Sequence, residues 1–572
     1  MTRPLIALLL LIPLLSCRPE PASAQSVPDR VRQFAADLES LRAKYRIALA
    51  GQTTDRLRQR FLDKLAELKT LDFSALHPDE QVDAVLLRAE IEYRLALLDR
   101  DAESDAAAGG FLDPVLPLVE VLQKDVLAEP MKAEEVARTF SNVAEALTAA
   151  TKQLQEDKKS GTRADRSRRV AAVWAARRLD DVRRDLGTFD RFRNGYDPLY
   201  SWWCKAPEEA LSKELAEYAK RIREDVVGIT ADDKDTIIGV PIGADGLRVD
   251  LAHEFIADPP EVLIAVARRE LAWCEAEMKK AAAEMGLGDD WRAALDATKN
   301  DFVPPGEQPK LILDLAEEAT KFIEDRDLIT IPPLCKEVWR MEMMSPERQR
   351  VSPFFTGGPV ISISYPTSEM SFDEKMMTMR GNNPHFSRAT VHHELIPGHH
   401  LQLYMMERHN PHRQLFRTPF WIEGWALYWE MRFWEMDFPR TPKEKMGMLF
   451  WRKHRAARII FSLSYHTGTM TPEECIEFLI ENVGFERKNA TAEVRRSVMG
   501  GYSPLYQAAY MLGGLQLLSL HEEVVGSGKM TEKEFHDFVL RQNAIPWELI
   551  RARALGLPLS LDYTPQWHFD TK

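Results

Sequence analysis

The chain has 572 residues, 45% of them hydrophobic and 28% charged, which is globular composition with ample length for a large core. Its formal net charge is −13, and a phosphate-binding surface must be basic, so nucleic acid is excluded as a partner. The acidic balance otherwise serves solubility.

The N-terminus reads as an export signal. Arg3 is followed by the apolar run Leu5 to Leu15 and then by Ser16-Cys17. A charged start, an apolar stretch of about a dozen residues and a small residue before a cut define such a signal. The run is too short to span a bilayer, which takes roughly 20 residues. Leu14-Leu15-Ser16-Cys17 resembles a bacterial lipobox, so residues 1–17 are read as a lipoprotein signal peptide, with Cys17 as the lipidated N-terminus. The alternative cut follows Ala22-Ser23-Ala24 and gives a soluble exported protein. Both place the protein outside the cytoplasm. The first makes the lipid on Cys17 its membrane contact, on the periplasmic side or at the outer membrane. Residues 18–27 are rich in Pro, Ala and Ser and read as a tether.

From Pro28 the pattern is helical. Val31, Phe34, Leu38 and Leu41 recur at helical spacing, as do Val82, Val85, Leu86, Ala89 and Tyr93 after the start signal Pro78-Asp79. Many arginines between Arg163 and Arg184 are interleaved with acidic residues, which favours a solvated helix face over an anion site. Breaks are expected at residues 157–161, 286–290 and 303–306. The β signal is confined to Ile329-Thr330-Ile331 and to the alternating run Val360 to Tyr365 after Gly357-Gly358. Cys204, Cys274, Cys335 and Cys475 are widely spaced, outside any CxxC, and are read as buried thiols.

The chemistry concentrates in His393-Glu394-Leu395-Ile396-Pro397-Gly398-His399-His400. A catalytic zinc takes three His or carboxylate ligands and leaves a fourth position for water. The usual arrangement is H-E-x-x-H on one helix, but here Pro397 occupies the fourth position and the next histidine is His399. On an unbroken helix, residues six apart point about 240° from each other. Pro397 disfavours helix at Ile396 and Gly398 permits unusual backbone angles, so the segment should break and return His399, or else His400, over His393. The third ligand is sought in a later helix. Glu423, in Trp421-Ile422-Glu423-Gly424-Trp425, sits among aromatic residues where an unpaired carboxylate would be costly. Glu430 lies two turns on along the same face and is the candidate partner of a ligand histidine. These residues predict one zinc ion per chain. Glu394 would act as general base and pass the water's proton to the leaving amine.

HELIPGHH followed by EGWALY resembles the family known as domain of unknown function 885, from about residue 30 to the C-terminus. Its logic is similar to that of the gluzincin peptidases. The resemblance implies a mainly α, large helical metallopeptidase-like fold with a deep cleft and a small β-sheet near the active site. Residues 28–328 would form a helical N-terminal half and 329–572 a zinc-binding catalytic half, the two making one clefted unit. It implies His393, His399 and Glu423 as ligands, Glu394 as base, and a late Tyr or His as oxyanion donor. Tyr510, in the segment Ser503 to Gly513, is the first candidate donor and His466 the second. Arg495 and Arg496 are candidate clamps for a substrate carboxylate, against an ordinary helix salt bridge. The run from Val360 could pair with an extended peptide. Three functions are carried forward: a peptidase acting on short peptides, a zinc hydrolase of another amide such as a peptidoglycan fragment or an acyl-amino acid, and a ligand-binding lipoprotein without turnover.

Overall fold

The computed structural model describes residues 25–569 apart from 162–163, 231–232, 234–235, 352–354 and 500. The signal peptide, Cys17 and most of the tether lie outside the described residues. The first described helix, Val27–Lys44, is capped by Ser26.

The chain is mainly α, and its helix starts are written locally. Ser371, Thr441, Thr471 and Thr531 each accept from the backbone N–H three residues on. Glu374, Glu444, Glu474 and Glu534 reach back to the caps, and Pro442 and Pro472 take the first helical position. The helix Pro442–His466 is buried around nearly its whole circumference from Met446 onward. A helix of that kind must be enclosed by others. It packs on Pro260–Glu284, Pro384–Glu394 and Tyr506–Val524. The last of these also crosses Pro419–Glu435.

Buried apolar residues form one large core, drawn from Val31 to Ile91 and again from Ile237 to Phe569. A second core lies within residues 47–227, among the helices Ala133–Lys159, Arg166–Arg193 and Pro198–Arg221. In the arginine-rich helix of that core, Arg178 pairs with Asp101 and Asp105, and Arg193 pairs with Asp125. The cysteines Cys204, Cys274, Cys335 and Cys475 are free and buried. No helix among the described residues is long and apolar enough to cross a membrane.

The described sheet has two parallel strands, β1 (Arg340–Met343) and β2 (Val360–Ile363), with Arg340 opposite Val360 and Met343 opposite Ile363. The expected strand at Ile329-Thr330-Ile331 does not form. There the Thr330 N–H and hydroxyl both donate to the Asp537 carboxylate, at 2.9 and 2.6 Å, and Pro332 caps the helix that follows. On the far side of β2, Ser362 and Thr356 exchange two backbone hydrogen bonds, so that edge is partly used within the chain. Ile361 and Ile363 pack with Val391 and Leu395 in a small cluster that ties β2 to the histidine segment.

Candidate metal centre

The histidine segment breaks where Pro397 and Gly398 require. Asn383 caps the helix Pro384–Glu394, which ends as Leu395 turns to φ −107° and ψ −107°. A cis Ile396–Pro397 bond follows, and a new helix starts at His399. Gly398 N–H donates to the His392 carbonyl at 3.0 Å, and the Trp425 indole donates to the Pro397 carbonyl at 2.8 Å. A Cβ on Gly398 would stand 1.8 Å from the His393 carbonyl oxygen, so only glycine allows this close approach. The turn carries the His399 ring back to 4.8 Å from that of His393, at 88° to it.

Glu423 arrives from the helix Pro419–Glu435. That helix crosses Tyr506–Val524 backbone to backbone. A Cβ on Gly424 would meet Gly513 at 2.5 Å, and one on Gly513 would meet the Phe420 carbonyl at 2.1 Å. Glu423 Oε2 lies 3.3 Å from His399 Nε2 and 3.8 Å from His393 Nε2. One ligand atom from each of the three side chains falls within 4.8 Å of the others, a group that could hold a metal ion.

Each of the three is oriented from behind. His393 Nδ1–H donates to Glu430 at 2.7 Å. His399 Nδ1–H donates to Gln402 Oε1 at 3.2 Å, and Gln402 is itself held by its bonds to the Trp421 and Ile422 carbonyls. The Tyr506 hydroxyl donates to Glu423 Oε1 at 2.7 Å. Both imidazoles are thereby anchored through Nδ1 and turn Nε2 toward the same carboxylate oxygen, so that Nε2 is the nitrogen a metal would take in exchange for a proton. Two nitrogens and one carboxylate oxygen suit zinc. At bond lengths of about 2.0–2.2 Å, neighbouring tetrahedral ligands stand about 3.3–3.5 Å apart, which the 3.3 Å from Glu423 to His399 matches and the 3.8 Å to His393 slightly exceeds.

The electrostatics mark a site that wants a cation. Burial works to raise Glu423, but the facing His399 and His393 hold it well below the usual carboxylate range. Burial works to lower His393, and the facing Glu423 together with the bond to Glu430 instead raises it to about 9. Glu394 is raised, first by burial and then against the lowering pull of the two histidines. Its carboxylate lies against Gly357, where a Cβ would stand 2.2 Å from Oε2. The glycine before β2 is thus what leaves room for Glu394.

The other candidates fall in different places. His400 turns away and donates to the Cys335 carbonyl at 2.7 Å. The Tyr510 ring stacks over His393, with centroids 6.4 Å apart and planes 12° from parallel. His466 closes its helix two turns beyond Arg458, about 12 Å along the axis, with its ring against Tyr465. Arg496 is paired to Glu493 at 2.8 Å, the ordinary helix salt bridge, and Arg495 lies half-buried on the same helix. Sequence reasoning missed Tyr506, Gln402, and the buried Arg455 and Arg458, which stand over the Tyr510 ring at 5.2 and 4.8 Å. Gln402 was legible, three residues after His399 on the same helix face. Arg455 and Arg458 carried no local signal.

A second group, His521, Glu532 and His536, also has ligand atoms in range. There His536 donates to the Leu328 carbonyl and accepts from the Tyr428 hydroxyl, while Arg432 pairs with Glu532 at 2.7 Å. Its nitrogens and charge are satisfied within the fold.

A cleft of about 390 Å³ opens on His399 and Glu423. Leu403, Pro419 and Ile422 make its apolar wall, and Arg417, Ser503 and Tyr506 its polar side.

Solved structures share this fold, among them the two that follow. A protein of unknown function from Shewanella oneidensis, described as a lipoprotein, is 17% identical with a TM-score of 0.65, over 93% of this chain and 100% of the other. One from Colwellia psychrerythraea, also described as a lipoprotein, is 16% identical with a TM-score of 0.57, over 93% and 97%. No curated protein matches. The family model described as bacterial protein of unknown function (DUF885) matches residues 36–553, and the chain belongs to that family.

Proposed function

We propose that this protein is a zinc-dependent peptidase that hydrolyses short peptides, with one ion held by His393, His399 and Glu423. One observation carries the reading. Three donor atoms face one another within 4.8 Å, each side chain is held from behind, a carboxylate with no ion pair or hydrogen bond among the described residues directly follows the first ligand, and a cleft opens on the other two. A structural zinc site is ordinarily closed by four protein ligands, whereas three leave a place for water.

When bound, the zinc lowers the pKa of a water and polarises the scissile carbonyl. Glu394 takes the water's proton as the new C–O bond forms and delivers it to the nitrogen as the C–N bond breaks. Tyr510 keeps its proton, because burial first and the Glu423 charge second push its hydroxyl above the usual tyrosine range. It serves as hydrogen-bond donor to the developing oxyanion. Tyr506 orients Glu423. We further propose export to the cell envelope with a lipid on Cys17, a reading supported by the lipobox-like sequence and by the lipoprotein descriptions of the two similar structures.

Incubation with a diverse peptide mixture, with and without chelator and read by mass spectrometry, tests the reaction. Chelator-sensitive cleavage is expected, and its absence for every peptide would defeat the peptidase reading.

A further inference from the structure

We infer that Arg417 binds a substrate carboxylate, so that the cleft takes peptides presenting a free carboxylate beside an apolar residue. This rests on the peptidase reading of the same cleft. Arg417 lines the cleft together with the ligands His399 and Glu423, and it is the one Lys or Arg among the lining residues. Its backbone is pinned on both sides. Phe416 is buried in the large core. Thr418 is buried too, donating its N–H to the Ala544 carbonyl at 3.2 Å and its hydroxyl to Glu254. Its side chain is exposed and makes no hydrogen bond or ion pair among the described residues.

A fixed base with a free guanidinium contrasts with Arg455, Arg458 and Arg496. Arg458 is bonded to Glu493, Arg455 stands 3.9 Å from Glu430, and Arg496 is paired to Glu493. Those cations are spent on internal carboxylates. Glu423 lines the cleft and Glu394 lies against Gly357, which lines it too, so these two carboxylates would offset the charge of a bound zinc and leave Arg417 as the uncompensated cation among the lining residues. An unpaired guanidinium at the cleft offers a fork matched to a carboxylate. Leu403, Pro419 and Ile422 line the same cleft and accept an apolar side chain next to the anion.

The test measures equilibrium binding to the zinc-loaded Glu394→Gln protein by calorimetry. Three probes are used: an N-acetylated tripeptide ending in leucine with a free carboxylate, its C-terminal amide, and an amide carrying a glutamate side chain. The free acid should bind about 10–100-fold more tightly than the plain amide. Adding Arg417→Gln should abolish that preference, Arg417→Lys should retain part of it, and zinc content should stay at one per chain in both. Binding of the glutamate amide as tightly as the free acid would show that a side-chain carboxylate serves as well as the C-terminus; weak binding would assign the site to the C-terminus. Equal binding of free acid and plain amide, binding of neither, or a preference that survives Arg417→Gln would overturn the inference. The peptidase reading fails separately, if the wild-type protein shows the binding preference but cleaves no peptide in a chelator-sensitive way.

Discussion

His393 is gripped between two carboxylates, with Glu430 on its Nδ1 and Glu423 facing its Nε2. Glu430 fixes the ring and raises its basicity, so Glu430→Gln should weaken zinc binding about 10–100-fold in a chelator competition. Undiminished zinc affinity would remove Glu430 from the site. The two tyrosines separate by role. Tyr510→Phe keeps the ring over His393 and removes only the hydroxyl. It should lower kcat about 100-fold while zinc content stays at one per chain. Tyr506→Phe frees Glu423 Oε1 and should instead be read in metal affinity. Equal kcat losses in the two variants, with zinc retained in both, would merge the roles.

The Glu423 and Tyr510 helices meet at Gly424 and Gly513, and this crossing sets the distance from Tyr506 to Glu423. Gly513→Ala would put a Cβ 2.1 Å from the Phe420 carbonyl, a backbone atom that cannot rotate away. The helices must separate, at about 1–3 kcal/mol of stability. Because Glu423 adjoins Gly424, the same change should lower zinc occupancy. Full occupancy together with an unchanged denaturation midpoint would show that the crossing does not position the ligand. The second glycine device is Gly398, whose lack of a Cβ allows the turn to close on the His393 carbonyl.

Across the whole molecule, buried neutral histidines couple stability to pH. Burial first, with Arg458 second, pushes His454 down to about 3. Burial pushes His536 down to about 3 as well, against its bond to the Leu328 carbonyl. In the unfolded chain both rings titrate near 6.5, so below that pH the unfolded state binds more protons. Their stabilising contribution is therefore complete above about pH 6.5 and is lost toward pH 3, at up to about 1.4 kcal/mol per pH unit for each ring. Denaturant titrations at pH 7, 6 and 5 should show falling stability, and His536→Gln should flatten the slope. A level wild-type profile would contradict this account.

Residue order alone determined the helical class, the capped helix starts and the break at Pro397-Gly398, because these depend on backbone constraints within a few residues. It also placed the Glu423–Glu430 pair on one helix face, since their spacing is a property of any helix. Three things required the tertiary structure. The strand partner of β2 turned out to be Arg340–Met343, because a distant Asp537 occupies the backbone at Thr330. His399 rather than His400 came to face Glu423, because the geometry of the turn decides which ring returns and the Cys335 carbonyl holds the other. Tyr506, Arg455 and Arg458 joined the site through helix crossings between segments far apart in sequence, and no local pattern encodes a crossing. The candidate ligand set was written in the chain; the second set of side chains that orients it was assembled only by packing.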